Sequence, residues 1–535
     1  MLIRRRVKGR RRGAVLAALL LLASAAGSPP PHRKPAPLQR PAMGWLAWQQ
    51  FRCIVNCSAT DVTCVNERLF RDHAALLASD GWLALGYDRV HIDDCAVAAA
   101  RDAVTHELPL DATRFPSGLA ALAAAVRGHG VRLGVYGAES THTCMRYPGS
   151  AGYEALDASV WAAAGVDHVK QDGCGSHAYF PVGYPLLGAA LDAAPSPIVF
   201  SCSWPAYEGE DEAAKNWTGY AAAGCVTGRN TDDVQCAWDG KPPTDGIPLL
   251  PILDHYGDYS ATLQAVTATT GFAMDGDTLL AGTTNQVTGA PCLTPDEERT
   301  QMAIYCIMAL PLLLGNDLRS LRDESRATLQ NPRAIAVSQD GGVVGGRRVS
   351  PKGAQEAWAR NFSGGDVALL LWNKATAPPP ACPASDWVAT QGWFWAAGTP
   401  CGAPNGNIAC FHNVSLDEAQ ATCCADASCA GFSWSSADGA GCFKNAQTCR
   451  DTLPGYNGWF KAAWPPTPPQ PPAAANVSVS FASLNLPPVV DVVDIWSGEA
   501  LGRFTGSYTA VDVAPHAAAF LRSTPHWAAG ELGVS

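Results

Sequence analysis

The sequence predicts an α/β protein, with a (β/α)8 TIM barrel followed by a small antiparallel β-sandwich domain that carries a cysteine-rich insertion. Short β-type runs alternate with helical runs from about residue 40 to residue 340. After residue 345 the runs alternate polar and apolar residues, and a block with eight of the nineteen cysteines interrupts them. Strands separated by helices indicate a parallel sheet, and about eight such units close naturally into a barrel.

The first 26 residues have the pattern of a secretory signal peptide. Seven basic residues precede the apolar run Ala14–Leu22, and small residues for cleavage follow it. A membrane span needs about 20 apolar residues, so we expect removal rather than anchoring. Without this segment the formal net charge changes from −10 to −17, which disfavours nucleic acid and anionic membranes as partners.

The nineteen cysteines indicate disulfide bonds, because the secretory route is oxidising. Their odd number leaves at least one thiol unpaired. Asn-X-Ser/Thr triplets, which fit a glycoprotein, occur at Asn56, Asn216, Asn361, Asn413 and Asn476.

Helices and strands alternate through the predicted barrel. The helical stretch 66–79 precedes the strand 87–95, and a second helix precedes the strand 132–137. Thr294 begins the last long helix in a capping box, with Pro295 at the first helical position. Further strands are predicted at 166–172, 197–203 and 310–317. We place the barrel at residues 40–340.

The segments 345–375 and 474–523 alternate as antiparallel strands do, and we interpret them as two parts of one β-domain. The block 380–463 separates them as an inserted disulfide-rich module. Residues 464–473 are rich in proline and form a predicted stiff linker.

Acidic and polar residues lie at the predicted carboxyl ends of the barrel strands, where the active sites of such barrels lie. Lys170 and Asp172 are two residues apart, so both point into the barrel, and the ammonium is expected to keep Asp172 ionised. A second carboxyl about 5–5.5 Å away would complete a retaining glycosidase pair. Each residue alone fits a solvated loop charge, whereas the set favours an active site. The set is Asp93, Asp94, Tyr136, Lys170, Asp172, Ser203, Arg229 and Asp233.

The sequence lacks the residue pattern of a metal or cofactor site. The cysteines do not form paired CxxC units, and the histidines are scattered. We therefore predict no metal and no cofactor.

Several barrel motifs resemble those of the retaining α-galactosidase and α-N-acetylgalactosaminidase family over about residues 41–345. The resemblance implies an exo-glycosidase that acts on galactose-configured glycans and is secreted or held in a lysosome or vacuole. The resemblance is also compatible with a homodimer. The motifs are PAMGWLAWQQF, HIDDC, RFPSGLAALAAAVRGHGVRLGVYG, VKQDGC, SCSWPAY and MAIYCIMALPLLLGNDLR.

The resemblance also implies roles for individual residues. Asp172 would be the nucleophile and Asp233, four residues after Arg229, the general acid/base. The implied sugar subsite contains Trp48, Asp93, Asp94, Tyr136, Lys170, Cys174, Ser203, Ala206 and Arg229. The implied disulfide bonds are Cys53–Cys95, Cys57–Cys64, Cys144–Cys174 and Cys202–Cys225.

The substrate that we predict depends on the motif SCSWPAY, residues 201–207. The α-galactosidase branch has Glu and Leu where this chain has Ser203 and Ala206. Two small residues open space for an acetamido group, so the sequence predicts an α-N-acetylgalactosaminidase, with an α-galactosidase as the alternative.

Other segments depart from the family pattern. FAMDGDT (272–278) keeps Asp275 and Asp277 but loses neighbouring residues, and Ala138 and Gln171 replace an acid and an aromatic residue. These departures leave a second alternative open, an inactive barrel that acts as a sugar-binding or interaction protein. The inserted block resembles a PAN/apple module, with a protein or glycan partner or with no role beyond a passive insert.

Overall fold

The computed structural model describes residues 38–526, apart from short gaps in the barrel and in the inserted block. The predicted signal peptide and all but the last residue of the proline-rich linker lie outside the described residues. The gaps are 61, 241–245, 287, 376–386, 395–406, 412–413, 426–428, 430, 438, 440, 445–450 and 462–472.

The first part of the chain forms an eight-stranded parallel sheet that closes on itself. Consecutive strands are neighbours, and β8 pairs back with β1. Leu279, just after β7, forms a parallel bridge with Leu314 of β8 and completes the circle. The predicted barrel is confirmed. Its strands are β1 (Met43–Leu46), β2 (Arg89–His91), β3 (Arg132–Ala138), β4 (His168–Asp172), β5 (Val199–Cys202), β6 (Thr227–Arg229), β7 (Ala273–Asp275) and β8 (Leu312–Leu314).

At least one α-helix follows each barrel strand. The predicted helix 66–79 is present, and the side chain of Asn66 caps it by accepting a hydrogen bond from Leu69 N at 3.0 Å. The predicted capping box is present too, with Thr294 N donating to Glu297 Oε2 at 2.8 Å. The helices are α1 (Trp48–Phe51), α2 (Glu67–Ser79), α3 (Gly118–Gly128), α4 (Glu154–Ala164), α5 (Phe180–Asp192), α6 (Trp217–Ala222), α7 (Leu249–Asp258), α8 (Ser260–Thr270), α9 (Pro295–Met308), α10 (Asp323–Leu329) and α11 (Pro332–Gln339).

Antiparallel strands from both sides of the inserted block share one six-stranded sheet, in the order β19-β18-β21-β11-β10-β9, and β17 pairs with β20 beside it. The predicted antiparallel C-terminal sheet is confirmed. The strands are β9 (Arg347–Arg348), β10 (Gln355–Asn361), β11 (Val367–Asn373), β17 (Ala475–Ser480), β18 (Val489–Asp494), β19 (Ala500–Thr505), β20 (Ser507–Val513) and β21 (Ala518–Pro525).

Strand β11 shows how this sheet packs on the barrel. All seven of its residues are buried. Leu369 and Leu371 belong to the core between the antiparallel sheets, while Leu370 and Trp372 belong to the core of the barrel. Because successive side chains of a strand point to opposite faces, a strand covered on both faces is largely apolar, and the six residues before Asn373 are all apolar.

The inserted block forms a sheet of its own, in the order β12-β16-β14-β15-β13. Helix α12 (Leu416–Ala425) lies in the same block, and Cys423 bonds to Cys429. The likeness to a PAN/apple module stays a prediction. The strands are β12 (Trp387–Phe394), β13 (Asn407–Phe411), β14 (Gly431–Ser435), β15 (Gly441–Lys444) and β16 (Asp451–Lys461).

All four implied disulfide bonds are present. A fifth, Cys236–Cys292, was not predicted and joins two loops 56 residues apart in the chain. Cys306, in α9, is a buried free thiol. Among the described residues, no helix combines the length and the apolar character that a membrane crossing requires.

Candidate active site

A cavity of about 300 Å³ opens at the carboxyl ends of the barrel strands. Of the eleven predicted site residues, ten line it. Cys174 lies beside it, with its Sγ 3.6 Å from Oη of Tyr136. The lining residues are Trp48, Asp93, Asp94, Tyr136, Cys144, Lys170, Asp172, Ser203, Ala206, Tyr207, Arg229, Thr231, Asp232 and Asp233.

Asp172, the last residue of β4, accepts three hydrogen bonds from neutral donors. Tyr136 Oη donates to Oδ2 at 3.0 Å, and Tyr207 Oη and the backbone N of Gly173 donate to Oδ1 at 2.8 Å each. Burial first, and then the charge of Asp172, raises the pKa of both tyrosines well above the ordinary value. Both phenols therefore stay protonated and can only donate to the carboxylate.

Tyr207 was missed in the sequence, although the motif SCSWPAY contains it. Ser203 N donates to Gln171 O at 2.9 Å, and a 3₁₀ turn over Trp204–Tyr207 follows. This turn brings Ser203, Ala206 and Tyr207 to the same cavity. Gly173 makes room for the tyrosine, because a Cβ at that position would lie 2.5 Å from the ring of Tyr207.

Lys170 forms its ion pair with Asp93, at 2.8 Å between Nζ and Oδ2. The sequence predicts Lys170 beside Asp172, but its ion pair is with an acid that follows β2, on the far side of β3. Burial lowers the pKa of Lys170, and the charges of Asp93 and Asp172 more than offset it, so that the pKa is raised. Burial raises the pKa of Asp93 and of Asp94. Both acids nevertheless accept backbone hydrogen bonds that fix their orientation.

Asp233 lies on the loop after β6 and is paired with a cation. Arg229 Nη1 lies 3.0 Å from Oδ1 of Asp233 and 2.9 Å from Oδ2 of Asp277. Burial raises the pKa of Asp233, but Arg229 and Lys170 outweigh it and the net pKa is lowered. The side chain of Asp233 remains 50% exposed.

Asp277 was seen in the sequence only as a retained acid of an altered segment. In the structure its Oδ2 also accepts a hydrogen bond from Val234 N at 2.9 Å. Arg229 additionally donates to the carbonyl oxygens of Thr231 and Asp232, at 3.1 and 2.6 Å. Arg229 and Asp277 together hold the loop that carries Asp233.

Gln171, which replaces an aromatic residue of the family pattern, has a polar partner behind Asp172. Its Nε2 donates to Oε2 of Glu139 at 3.0 Å, and the backbone N of Glu139 donates to Asp172 O at 2.7 Å. Glu139 is fully buried. Burial, followed by the charge of Glu154, raises the pKa of Glu139 to about 8. Gln171, which departs from the family pattern, thus forms a buried pair with Glu139 that the sequence did not predict.

One cluster near the cavity has atoms of the kind that bind metals. The sulfur atoms of Cys144 and Cys174 and an oxygen of Asp172 lie within 4.8 Å of one another. Because the two sulfurs form a disulfide bond, neither offers a thiolate, and this cluster is not a metal site.

The sequence profile described as alpha galactosidase A matches residues 40–340, more than half of the chain. This chain belongs to that family. It is a glycoside hydrolase. A second profile, described as the alpha galactosidase C-terminal beta sandwich domain, matches residues 458–523.

Curated relatives fall in two groups. Alpha-N-acetylgalactosaminidase of Rattus norvegicus is 39% identical over 345 residues, which cover 64% of this chain and 79% of that protein. The Homo sapiens protein of that name is 38% identical with the same coverage. Alpha-galactosidase A of Homo sapiens is 34% identical over 336 residues, which cover 62% of this chain and 74% of that protein.

Solved structures share the fold. Alpha-galactosidase I from Mortierella vinacea matches with a TM-score of 0.62 at 21% identity, covering 91% of this chain and 98% of that one. At this identity the likeness shows the fold alone.

Proposed function

We propose that the protein is a retaining exo-glycosidase that releases terminal α-linked N-acetylgalactosamine. The observation that carries the proposal is the meeting of Asp172 and Asp233 in one cavity, each in an environment that suits a different role. Asp172 is held by neutral donors, as a nucleophile requires, and Asp233 is accessible to solvent, as a proton carrier requires.

The proposed reaction has two displacements. Asp172 attacks the anomeric carbon and forms a glycosyl ester, while the bond to the leaving oxygen breaks and Asp233 gives that oxygen a proton. Asp233 then takes a proton from water, whose oxygen attacks the same carbon and frees Asp172. Each displacement inverts the configuration at the anomeric carbon, so after two displacements the product has the configuration of the substrate.

The proton on Asp233 makes this step depend on pH. Arg229 holds the pKa of Asp233 below its ordinary value in the free site. The protonated acid that the first displacement needs therefore becomes more abundant as the pH falls, and we expect an acidic optimum. Such an optimum fits the lysosome or vacuole, and the five disulfide bonds of the barrel fit passage through an oxidising route.

Ser203 and Ala206 support the N-acetyl preference, because both small side chains line the cavity. The relatives named alpha-N-acetylgalactosaminidase are also more similar to this chain than alpha-galactosidase A is. The alternative is an α-galactosidase. The retained pairing of Asp277 with Arg229 removes the main support for an inactive barrel, since the altered segment 272–278 still holds the site together.

The deciding experiment compares hydrolysis of p-nitrophenyl α-N-acetylgalactosaminide with that of p-nitrophenyl α-galactoside. We expect a higher kcat/KM for the first. The double variant Ser203→Glu, Ala206→Leu fills the space for the acetamido group and should reverse the preference. A parent enzyme that prefers the galactoside would reject the N-acetyl assignment and leave the α-galactosidase.

A homodimer, and a protein or glycan partner of the inserted block, remain predictions from the sequence.

A further inference from the structure

The segment that follows β1 meets the loop that carries Asp233. Arg52, directly after α1, donates from Nη2 to Oε1 of Gln235 at 2.9 Å, although the two residues are 183 positions apart in the chain. Gln235 lies two residues beyond Asp233. This hydrogen bond therefore attaches the loop of the proposed acid/base to a segment from the first barrel unit.

Gln235 belongs to a restrained part of that loop. The residue is buried, and its backbone N donates to Ile247 O at 2.9 Å. The next residue, Cys236, is bonded to Cys292 in the segment after β7. The disulfide bond that the sequence did not predict thus restrains the acceptor of Arg52.

Arg52 is restrained at its own end as well. It has a φ of 44°, a conformation that non-glycine residues adopt only where their surroundings impose it. Its backbone N donates to Trp48 O at 2.9 Å. The neighbouring Cys53 is bonded to Cys95, which directly follows Asp94. The guanidinium group therefore starts from a backbone position that is fixed relative to the sugar-binding acids.

The same guanidinium group contacts the aromatic wall of the cavity. Its Cζ lies 5.5 Å from the centroid of the Trp48 ring, which is within range for attraction between a cation and a ring face. Trp48 lines the cavity together with Asp233. One half-buried cation thus joins the ring that borders the sugar site to the loop that carries the proposed acid/base.

The charge of Arg52 also acts on Asp233. Burial raises the pKa of Asp233, and cations on three different elements outweigh it: Arg229 at the end of β6, Lys170 on β4 and Arg52 after α1. Tyr207 in the same cavity is neutral. Of the three cations, Arg52 is the one that is not among the described residues lining the cavity, so replacing it leaves that lining in place. The acids around Asp233 are Asp93, Asp94, Asp172, Asp232 and Asp277.

We propose that Arg52 positions Asp233 for proton transfer by tying its loop, through Gln235, to the Trp48 side of the cavity. This inference rests on the proposed glycosidase function. A proton passes to the leaving oxygen only over a hydrogen-bond distance, so a displaced loop slows the step that Asp233 serves. Arg52 touches no reacting atom, and its influence on the reaction passes through Asp233.

The first test compares two leaving groups. Methyl α-N-acetylgalactosaminide needs a proton from Asp233, whereas the 2,4-dinitrophenyl glycoside does not. Arg52→Met keeps an unbranched side chain and removes both the donors and the charge. We expect kcat/KM to fall about tenfold for the methyl glycoside and less than about twofold for the dinitrophenyl glycoside. A general loosening of the barrel would instead lower both values alike.

Two further variants separate the hydrogen bond from the charge. Gln235→Met removes the acceptor and leaves the charge of Arg52, so it should show the same selective loss. Arg52→Lys keeps the charge and a donor, so it should recover part of the lost activity on the methyl glycoside. The matched control is Arg299→Met, which removes an exposed arginine from α9 and should change neither value.

The pH profile gives a second readout. The first displacement needs protonated Asp233, so kcat/KM for the methyl glycoside falls as the pH rises through the pKa of this group. Without the charge of Arg52 that pKa rises, and the alkaline limb should move up by about 0.3–0.7 pH units in Arg52→Met. The limb should stay in place in Arg52→Lys. An unmoved limb in Arg52→Met would reject the proposal.

The outcomes separate this inference from the proposed function. If the parent hydrolyses neither an α-N-acetylgalactosaminide nor an α-galactoside, the glycosidase proposal fails and this inference fails with it. A parent that prefers galactosides is tested with the matching galactosides. If the parent is active but Arg52→Met loses activity equally on both substrates, or loses none, this inference is rejected and the glycosidase stands. If Arg52→Met does not fold, Gln235→Met decides by the same comparison.

Discussion

The two walls of the cavity hold their carboxylates in different ways. Asp172 is half-buried and accepts hydrogen bonds from two tyrosine hydroxyls and a backbone amide, all of them neutral. Asp233 is half-exposed and lies against the guanidinium of Arg229. The hydrogen bonds to Asp172 orient its carboxylate without neutralising the charge. The carboxylate of Asp233, by contrast, contacts water and the positive charge of Arg229.

This difference shows how the proposed site would give two roles to the same kind of side chain. A nucleophile must reach the anomeric carbon in one orientation, which fixed neutral donors provide. A proton carrier must exchange protons with the leaving oxygen and with water, which exposure permits. In this proposal the environment of each aspartate, rather than the residue type, separates the two roles.

The largest expected effect comes from the Asp172 wall. Asp172→Asn removes the proposed nucleophile, and kcat should fall about 10⁴- to 10⁶-fold while the sugar still binds. Turnover of the aryl glycoside and binding of the product sugar are measured together. Asp232→Asn, in the same cavity, is the matched control and should lose far less activity. Equal rates for Asp172→Asn and the parent would place the chemistry elsewhere.

Removing the proposed acid/base should have a smaller effect that depends on the leaving group. For a methyl glycoside, Asp233→Ala should lower kcat/KM about 10²- to 10⁴-fold, because the leaving oxygen needs a proton. A 2,4-dinitrophenyl glycoside needs none, so its first displacement should be affected much less. Single-turnover kinetics on both substrates measure that step, and equal losses would contradict the assignment.

The tyrosines test whether neutral donors matter to the Asp172 wall. Tyr207→Phe or Tyr136→Phe removes one hydrogen bond to a charged group, which contributes about 1.5–3 kcal/mol. The expected loss in kcat is about 10- to 100-fold for each variant. Tyr153→Phe, which changes an exposed tyrosine, is the control. Losses as small as that of the control would show that the two donors left in each variant suffice to hold Asp172.

Glu139 supports the same wall from behind, and its effect is on stability. Its folded-state pKa of about 8 lies above the ordinary value, because burial and Glu154 disfavour the charge. As the pH rises from about 4.5 to about 8, the unfolded chain loses this proton before the folded one, so folding stability falls. Glu139→Gln carries no such proton, and its stability relative to the parent should rise by about 2–4 kcal/mol over that range.

Urea unfolding at pH 5, 6.5 and 8 measures this difference. The control is Glu107→Gln, at an exposed position, which should differ from the parent by the same amount at every pH. A Glu139→Gln variant that follows the control would show that Glu139 is ionised in the folded protein at neutral pH.

Much of the site could be predicted because its residues end barrel strands. Asp172 follows a β-type run directly, and the barrel brings the ends of successive strands to one mouth. Tyr207 was not predicted as a site residue, because the interpretation of SCSWPAY used only Ser203 and Ala206. The tyrosine lies in the 3₁₀ turn that follows Ser203 and contains Ala206. Asp277 was not predicted as a site residue because it lies 44 residues beyond Asp233, and only the pairing of β6 with β7 brings it to Arg229.

Gln171 and Glu139 show the limit more sharply. The sequence shows a polar residue where an aromatic one is usual, and by itself this indicates a weakened site. The structure shows that Gln171 donates to Glu139, which directly follows the neighbouring strand β3. The pairing follows from parallel register between β3 and β4, which no local pattern specifies.

The sequence by itself determined the alternation of strands and helices, the capped helix starts and the residue types at the strand ends, because these depend on local spacing and backbone chemistry. The tertiary structure decided which charges meet: Lys170 with Asp93, Arg229 with both Asp233 and Asp277, and Asp172 with two tyrosines. Electrostatic interactions and hydrogen bonds act over a few ångströms of space, so partners that are far apart in the chain become neighbours only when the barrel closes.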